Sequence, residues 1–573
     1  MTNLIMTNLI IEYYEPLTYF AYFILFLINF IIILSYFKLK TESNSKKIVF
    51  DVFYVFYGII FITLERFYTF FCMKTNIDES FHLGIALKFI NGDHFWIDID
   101  PSSVGPLNTL LFSLVSCFTN EMSYFTAKIT TMIVICVSFA LLYFSFVKII
   151  PRAIACLITT CYAIHFCYPD GPTTISYNSE IILLLLMSLW LFFYVYSQNN
   201  SKKIWNYFEF FVIGLMPFGK LQFAPVALFL FVFRLISILQ QKENLHYSQL
   251  KKATLLSLIC AVPSVIVLSD ALIHNSLLWL FRFYFFNMIS YMNVEHLGNE
   301  VNPYSVMIHN LIFFWSNFFH LSVLTSLNFI LIILCAMKKE YKVSLFCFAL
   351  IVLSAFEVVK PLFDFSHYTN IMIIPLFANC AILLHKLHNR NINIFVIALS
   401  ICFIGYYFNH FDRDYKFKAY YVENPGILPE WMAIAQDIKS QSNEADRLVV
   451  WGWMDELYVL TGLPSGTAEI AIGGFIPHQL VNRIYPSYTK QKYLDDILNN
   501  KPRFVIDTPS PITNIYNSYD YQLKNYHEFW QIIKNNYHLA KEYRIANNPE
   551  DCDANLDSCI RIPLYEINST NET

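Results

Sequence analysis

Asp78-Glu79, then Asp93, Asp98 and Asp100, with His82 and His94 among them, form the first long polar interruption in a very apolar chain. This tract runs from Met73 to Leu107 and closes on Gly105-Pro106-Leu107. Acids just past an early apolar span sit at a lipid–water boundary, where a carboxylate can take the proton of an acceptor hydroxyl. That suits movement of a water-soluble group off a lipid carrier. A hydrolase cleaving a glycosidic bond needs a general acid, because its leaving group is an alkoxide. A phosphate leaves unprotonated, so one base and a few cations that stabilise the growing charge suffice. Lys220, in Gly219-Lys220-Leu221-Gln222, and Lys360, His367 and Tyr368, in the stretch Lys360–Tyr368, are the cation and donor candidates. Ionisable residues at membrane depth are costly and therefore functional candidates.

Each of these residues also has a plainer reading. Asp78 and Glu79 suit the start of a helix, where acids meet the positive end of its dipole. Glu180 opens an apolar run and has the same reading. Asp98 and Asp100, ahead of Pro101, suit a turn. Lys220 suits a cation snorkelling to the interface, and His367 a hydrogen-bonded structural histidine. His82 follows Asp78 by one helical turn and shares its face. A divalent ion there is the weaker alternative, and we assign neither metal nor cofactor.

The elements that must position these groups are membrane spans. The 573 residues are 56% hydrophobic and only 14% charged, against about 25% charged in ordinary soluble domains. A bilayer span takes roughly 17–25 apolar residues as a helix. Spans are expected near Thr18–Phe37, Ile48–Phe71, Tyr124–Val147, Ala153–Tyr168, Glu180–Tyr196 and Trp205–Pro217. Further spans are expected near Leu221–Leu239, Ala253–Ala271, Leu311–Met337, Val343–Val359, Tyr368–His385 and Ile392–Phe408, about twelve in all. The net charge of −4 gives no reason to expect nucleic acid as a partner.

Lysine and arginine orient the spans. Lys38, Lys40, Lys46 and Lys47, then Lys148 and Arg152, Lys202 and Lys203, Lys242, Lys251 and Lys252, Lys338, Lys339 and Lys342, and Lys386 and Arg390 fill short connections. All fall on one side if Val104–Phe118 does not cross, and the positive-inside rule makes that side cytoplasmic. The acidic tract and both termini then face outward. Val104–Phe118 is expected to lie in the interface, being short for a span. The first apolar run carries Glu12 and Glu15 ahead of it and cations behind, so it reads as an uncleaved anchor rather than a signal peptide.

After Phe408 the composition turns mixed polar, so Asn409–Thr573 is expected to be a soluble α/β domain outside the membrane. The organisation is then an anchor span and cytoplasmic loop over 1–47, a membrane domain over 48–408, and the soluble domain over 409–573. In that domain Pro429–Ser442, Lys490–Asn500 and Gln522–Asn536 predict helices, and Arg447–Trp453, Arg503–Asp507 and Ile560–Glu566 predict strands. Cys552 and Cys559 form a close pair in an oxidising compartment and read as a local disulfide.

In this order the motifs resemble the GT-C glycosyltransferases, in the bacterial branch shared by protein O-mannosyltransferases and lipid A aminoarabinose transferases. The resemblance runs through Asp78-Glu79 and Asp98-Ile99-Asp100-Pro101…Gly105-Pro106-Leu107. It continues through Glu180, Gly214…Gly219-Lys220 and Ser366-His367-Tyr368…Pro375, to Val450-Trp451-Gly452-Trp453…Tyr458…Thr461-Gly462. It implies a polytopic helical membrane protein with a soluble C-terminal domain, acting in a bacterial inner membrane with its site on the periplasmic side. It implies a polyprenyl-phosphate-linked sugar as donor and Asp78 as the base or acceptor-orienting residue, with Glu79 beside it. Lys220, Lys360, His367 and Tyr368 would hold the donor phosphate, and His82, Asp98, Asp100 and Glu180 would line the substrate. Val104-Gly105-Pro106 stands where eukaryotic protein mannosyltransferases carry His-Pro-Pro. That departure favours a glycolipid acceptor, lipid A or lipopolysaccharide core, over a protein. A transporter would be expected to show repeated halves and charges near the midplane, and an O-antigen ligase or polymerase its large soluble part between late spans.

Overall fold

The computed structural model describes residues 44–70, 77–101, 104–167, 177–199, 203–240, 246–286, 303–360, 366–387, 429–452, 454–470, 487–508, 522–545 and 560–568, with isolated positions at 20–28 and 397–405. Most of the expected spans Thr18–Phe37 and Ile392–Phe408, and both Cys552 and Cys559, lie outside the described residues. The chain divides into two compact units. One gathers 1–74, 128–267 and 302–425, and the other 75–127, 268–301 and 426–573.

The first unit is a helical membrane bundle. Its helices are α1 (Asn44–Arg66), α4 (Tyr124–Ile149), α5 (Arg152–Cys167), α6 (Glu180–Asn199), α7 (Ile204–Gly219), α8 (Ala224–Leu239) and α9 (His246–Ile273), then α10 (Pro303–Asn317), α11 (Phe319–Met337), α12 (Tyr341–Val359) and α13 (Asn370–Leu387). Among the described residues, seven stretches are long and apolar enough to cross a membrane, and the bent pair α10–α11 would be an eighth. The expected spans at Ala153–Tyr168 and Trp205–Pro217 are helices as well, of 16 residues each. Many large apolar side chains, such as Phe53, Leu258 and Leu345, face outward, as lipid-facing positions do.

Polar groups inside the bundle are tied to one another. The Tyr54 hydroxyl donates to the Cys156 carbonyl at 2.6 Å. Asp51 accepts from Tyr143 at 2.8 Å and from Arg152 through both carboxylate oxygens, at 2.8 and 3.0 Å. Arg234 of α8 is buried against Glu209 of α7, with contacts of 2.5 and 2.9 Å, and lies over the Tyr194 ring. This intramembrane pair was not expected from the sequence. Gly214 is where α7 meets α9: a Cβ there would lie 2.0 Å from the Cys260 carbonyl oxygen, so only glycine allows the approach.

The second unit joins α2 (Ile77–Ile90) and α3 (Pro106–Thr119) to the C-terminal domain. At 14 residues α3 is about 21 Å long, short of the roughly 30 Å hydrocarbon core. The domain holds helices α14 (Pro429–Gln441), α15 (Glu456–Thr461), α16 (Ser487–Asn500) and α17 (His527–Asn536). Its strands are β1 (Leu448–Trp451), β2 (Phe504–Asp507), β3 (Tyr537–Ile545) and β4 (Ile560–Ile567). They form one mixed sheet in the order β1-β2-β4-β3, in which β1 and β2 are parallel and the other pairs antiparallel. Strand β3 was not expected, and the helix expected over Gln522–Asn536 begins as a separate 3-10 turn, Leu523–Asn525. Trp451 centres the domain core, 4.9 Å from the Phe529 ring and 5.1 Å from Tyr526.

The Val450–Gly462 phrase is a folding unit. The Val450 N–H donates to the Tyr458 hydroxyl at 2.9 Å. Thr461 Oγ1 donates back to the Leu457 carbonyl, and Gly462, at φ 75°, ends α15 in the left-handed conformation that glycine adopts freely.

Candidate active site

Asp78 and Glu79 stand in the first turn of α2, where their charges also favour the helix dipole. Glu79 is fully buried, whereas Asp78 is half-buried and remains reachable. The C-terminal domain brings two more acids to them. Asp455 is fully buried, within electrostatic reach of Glu456 and Asp78. Neither oxygen of Asp455 has a hydrogen-bond partner among the described residues. Burial first, then Glu456 and Asp78, hold its carboxyl well above the usual range. Ser80 and the Tyr124 hydroxyl, 2.8 Å apart, adjoin the group, and Tyr124 lies within electrostatic reach of Glu456, Glu79 and Asp455. The cluster can therefore hold a proton, and among its described acids Asp78 has the exposure to meet a substrate.

The rest of the acidic tract folds as scaffolding for this cluster. Lys88, at the far end of α2, donates to the Ser465 carbonyl at 3.1 Å and the Thr467 carbonyl at 2.5 Å, and pairs with Asp93 at 3.4 Å. Burial lowers its ammonium to about 8. Arg447 grips Asp93 through both carboxylate oxygens, at 2.8 and 2.6 Å. Asp98 accepts the His94 N–H at 3.1 Å and so closes its own turn. The Asp100 N–H donates to the Ala468 carbonyl at 2.9 Å, and the Asp100 side chain lies within electrostatic reach of Glu469. Burial, then Asp100 and Asp496, push the Glu469 carboxyl well up. His82 is buried in α2 with its ring edge-on to Phe81. Among the described residues no group of three or more His, Cys, Asp or Glu side chains is arranged to hold a metal ion.

The second unit also contains a cation that the sequence reading missed. Arg282, in the π-helical turn Phe281–Phe286, lies over the rings of Trp279 and Tyr488, 4.9 and 4.5 Å from their centroids. It makes no ion pair among the described residues. Aromatic faces hold a guanidinium in place without an acid beside it.

The membrane unit gathers the other candidates by itself. At the α7 terminus, after Pro217, Lys220 turns to extended backbone, and its buried ammonium pairs with Glu180 and donates to Ser179 Oγ at 2.9 Å. It lies 4.7 Å from the centroid of the Tyr368 ring. His367 is within electrostatic reach of Glu180. The Gln222 amide donates to the main-chain carbonyl of Glu357. Lys360, one turn on, is half-buried above the Phe356 ring. Glu180, Lys220, His367 and Tyr368 are thus one cluster, and Lys360 lies within electrostatic reach of Glu357, whose main chain Gln222 holds. Glu357 was not singled out in the sequence, although an acid near the end of the apolar run Tyr341–Val359 is a signal in itself.

No family model matches the chain, and no curated protein does. Solved structures do match. ArnT from Cupriavidus metallidurans in the apo state aligns with a TM-score of 0.50 at 12% identity, over 91% of this chain and 98% of that one. The same protein bound to undecaprenyl phosphate aligns at 0.49 and 13% identity, over 92% and 99%. The apo oligosaccharyltransferase of Archaeoglobus fulgidus aligns at 0.46 and 13%, over 81% of this chain and 70% of that one. Nearly the whole of both chains aligns with apo ArnT, and the fold of this protein is accordingly that of the ArnT structure.

Proposed function

We propose that this protein is a membrane glycosyltransferase that moves a sugar from a polyprenyl-phosphate donor to a glycolipid acceptor, lipid A or lipopolysaccharide core. The observation that carries the reading is the acid cluster of α2 and Asp455-Glu456, with Asp78 as its reachable member, in an ArnT-like fold. Asp78 takes the proton from the acceptor oxygen as that oxygen attacks the anomeric carbon. The bond from that carbon to the phosphate oxygen breaks, and polyprenyl phosphate leaves with the electron pair. A single displacement of this kind inverts the anomeric centre.

The donor phosphate needs cations that are not already neutralised. Lys220 is committed to Glu180, so its part is to hold the mouth of the membrane unit together. Lys360 suits the anion better, with Tyr368 and His367 beside Lys220 as donor-side polar groups. The lysine-rich connections support an orientation in a bacterial inner membrane with the acid cluster on the periplasmic side. Reporter fusions after Lys203 should then read cytoplasmic and fusions at Asn499 external.

The decisive test is transfer from a radiolabelled polyprenyl-phosphate sugar by purified protein in detergent. Asp78→Asn keeps the size and removes the base, so transfer should fall on the order of 10²–10⁴-fold, with donor binding retained. Near-normal transfer by that variant would remove Asp78 from the mechanism.

A further inference from the structure

The outer ends of α6, α12 and α13 carry buried polar atoms that the protein leaves without partners. Glu357 is fully buried, and neither carboxylate oxygen has a hydrogen-bond partner among the described residues. The same holds for Glu180 Oε2, although Glu180 Oε1 is held by Lys220. The Asn370 side-chain amide, 5% exposed, has no acceptor.

One hydrogen bond and one ion pair fix the level of these groups. The Asn379 amide donates to the Cys347 carbonyl at 2.9 Å across α12 and α13. About ten residues outward along each antiparallel helix, or three turns, stand Glu357 and Thr369, with Asn370 next. Lys220, paired with Glu180, lies over Tyr368 at the same level. One turn deeper the hydroxyls of Ser354 and Thr325 are likewise buried and without partners. Buried polar groups are nearly always hydrogen-bonded, and more so where the surroundings are lipid. Single unpartnered atoms occur elsewhere in the bundle, but here a whole carboxylate, half of a second and an amide stand at the ends of three helices, and that combination points to a polar occupant.

Charge and hydrogen-bond sense identify its class. Lys220 is already paired with Glu180, and the oxygens left over at Glu180 and Glu357 are carboxylate oxygens, which do not take a phosphate; the phosphate itself falls to Lys360. The site offers carboxylate oxygens that need donors and an amide that needs an acceptor, and a sugar hydroxyl is both. We propose that this mouth is a carbohydrate-hydroxyl site, in which Glu357, Glu180 and Asn370 receive the sugar carried by the lipid donor. The proposal rests on the donor assigned above.

The experiment measures binding of undecaprenyl phosphate, bare and linked to each of a panel of hexoses and pentoses, to the full-length protein in detergent. The wild type should bind at least one glycosylated carrier more tightly than the bare one. Glu357→Gln should reduce that preference by about 10–100-fold, the range of a hydrogen bond to a charged group, without weakening bare-carrier binding or lowering the melting temperature. Asn370→Leu should reduce it too, and serves if Glu357→Gln does not fold. Equal binding of all carriers by the wild type, or an intact preference in both variants, would overturn the proposal and leave the site to structural water. Failure of the wild type to bind even the bare carrier would instead overturn the donor reading, and this inference with it.

Discussion

Two groups of buried charge stand in this molecule, and they are built on opposite principles. In the membrane unit, Glu357 apart, the described buried charges discussed above come in pairs: Lys220 with Glu180, Arg234 with Glu209, Arg152 with Asp51. In the other unit Asp78, Asp455 and Glu456 crowd like charges together. A pair suits lipid, where an isolated charge is prohibitive. A crowd of acids is tolerable only where protons can be exchanged, and it makes one carboxylate a base while its neighbours stay protonated. The difference separates groups that hold the bundle together from groups that can do chemistry.

The largest effect should come from breaking a pair. Lys220→Met leaves Glu180 as an uncompensated buried charge and should destabilise the protein by about 3–5 kcal/mol. Adding Glu180→Gln should restore most of that loss. Thermal unfolding in detergent checks both, and a double variant no better than the single one would mean that the lysine has a role beyond pairing.

The acids should respond to pH in a definite direction. Burial and its acidic neighbours hold Asp455 above the usual carboxyl range, and burial pushes Asp507 up to about 7. Below about pH 4 these groups are protonated whether the protein is folded or unfolded, and their contribution to stability is greatest. As pH rises past that value the unfolded chain releases its protons while the folded one keeps them, so stability falls. For Asp507 the fall ends near pH 7. Asp507→Asn should flatten the melting temperature between about pH 4 and 7, and Asp455→Asn should flatten it over a range that starts at the same point. Unchanged slopes in both variants would show that these carboxyls ionise normally.

The smallest effect is expected at the surface. Lys541 pairs with Asp437 at 2.7 Å on an exposed part of the C-terminal domain. Lys541→Ala should cost about 0.2–1 kcal/mol and less at high salt. A loss as large as that of Lys220→Met would erase the contrast between paired charges in lipid and paired charges in water.

The helices were legible because long apolar runs with lysines between them have few other physical outcomes. So were β1, β2 and β4, short apolar runs rich in Val, Ile and Phe. Strand β3 was not, because Lys541, Glu542 and Arg544 break its apolar pattern and it follows α17 without a turn. Its place is set by pairing with β4, a partner that local sequence does not reveal. At the site, Asp78-Glu79 stood out as a polar interruption. Asp455 did not, since nothing local distinguishes Met454-Asp455-Glu456 from ordinary surface acids. Glu357 and Arg234 could have been found, each being a charge inside an apolar run. Arg282 carried the same signal in Phe281-Arg282-Phe283.

The grip of Lys88 on the Ser465 and Thr467 carbonyls has a consequence for the order of assembly. Its partners lie 377 and 379 residues further along the chain. At roughly 5–20 residues per second, the ribosome reaches them about 20–75 s after Lys88 has been made. For that interval α2 and its acids lack the surface they fold against. A chain that stops before Arg447 would keep them so permanently, and quality-control proteases would meet this segment first.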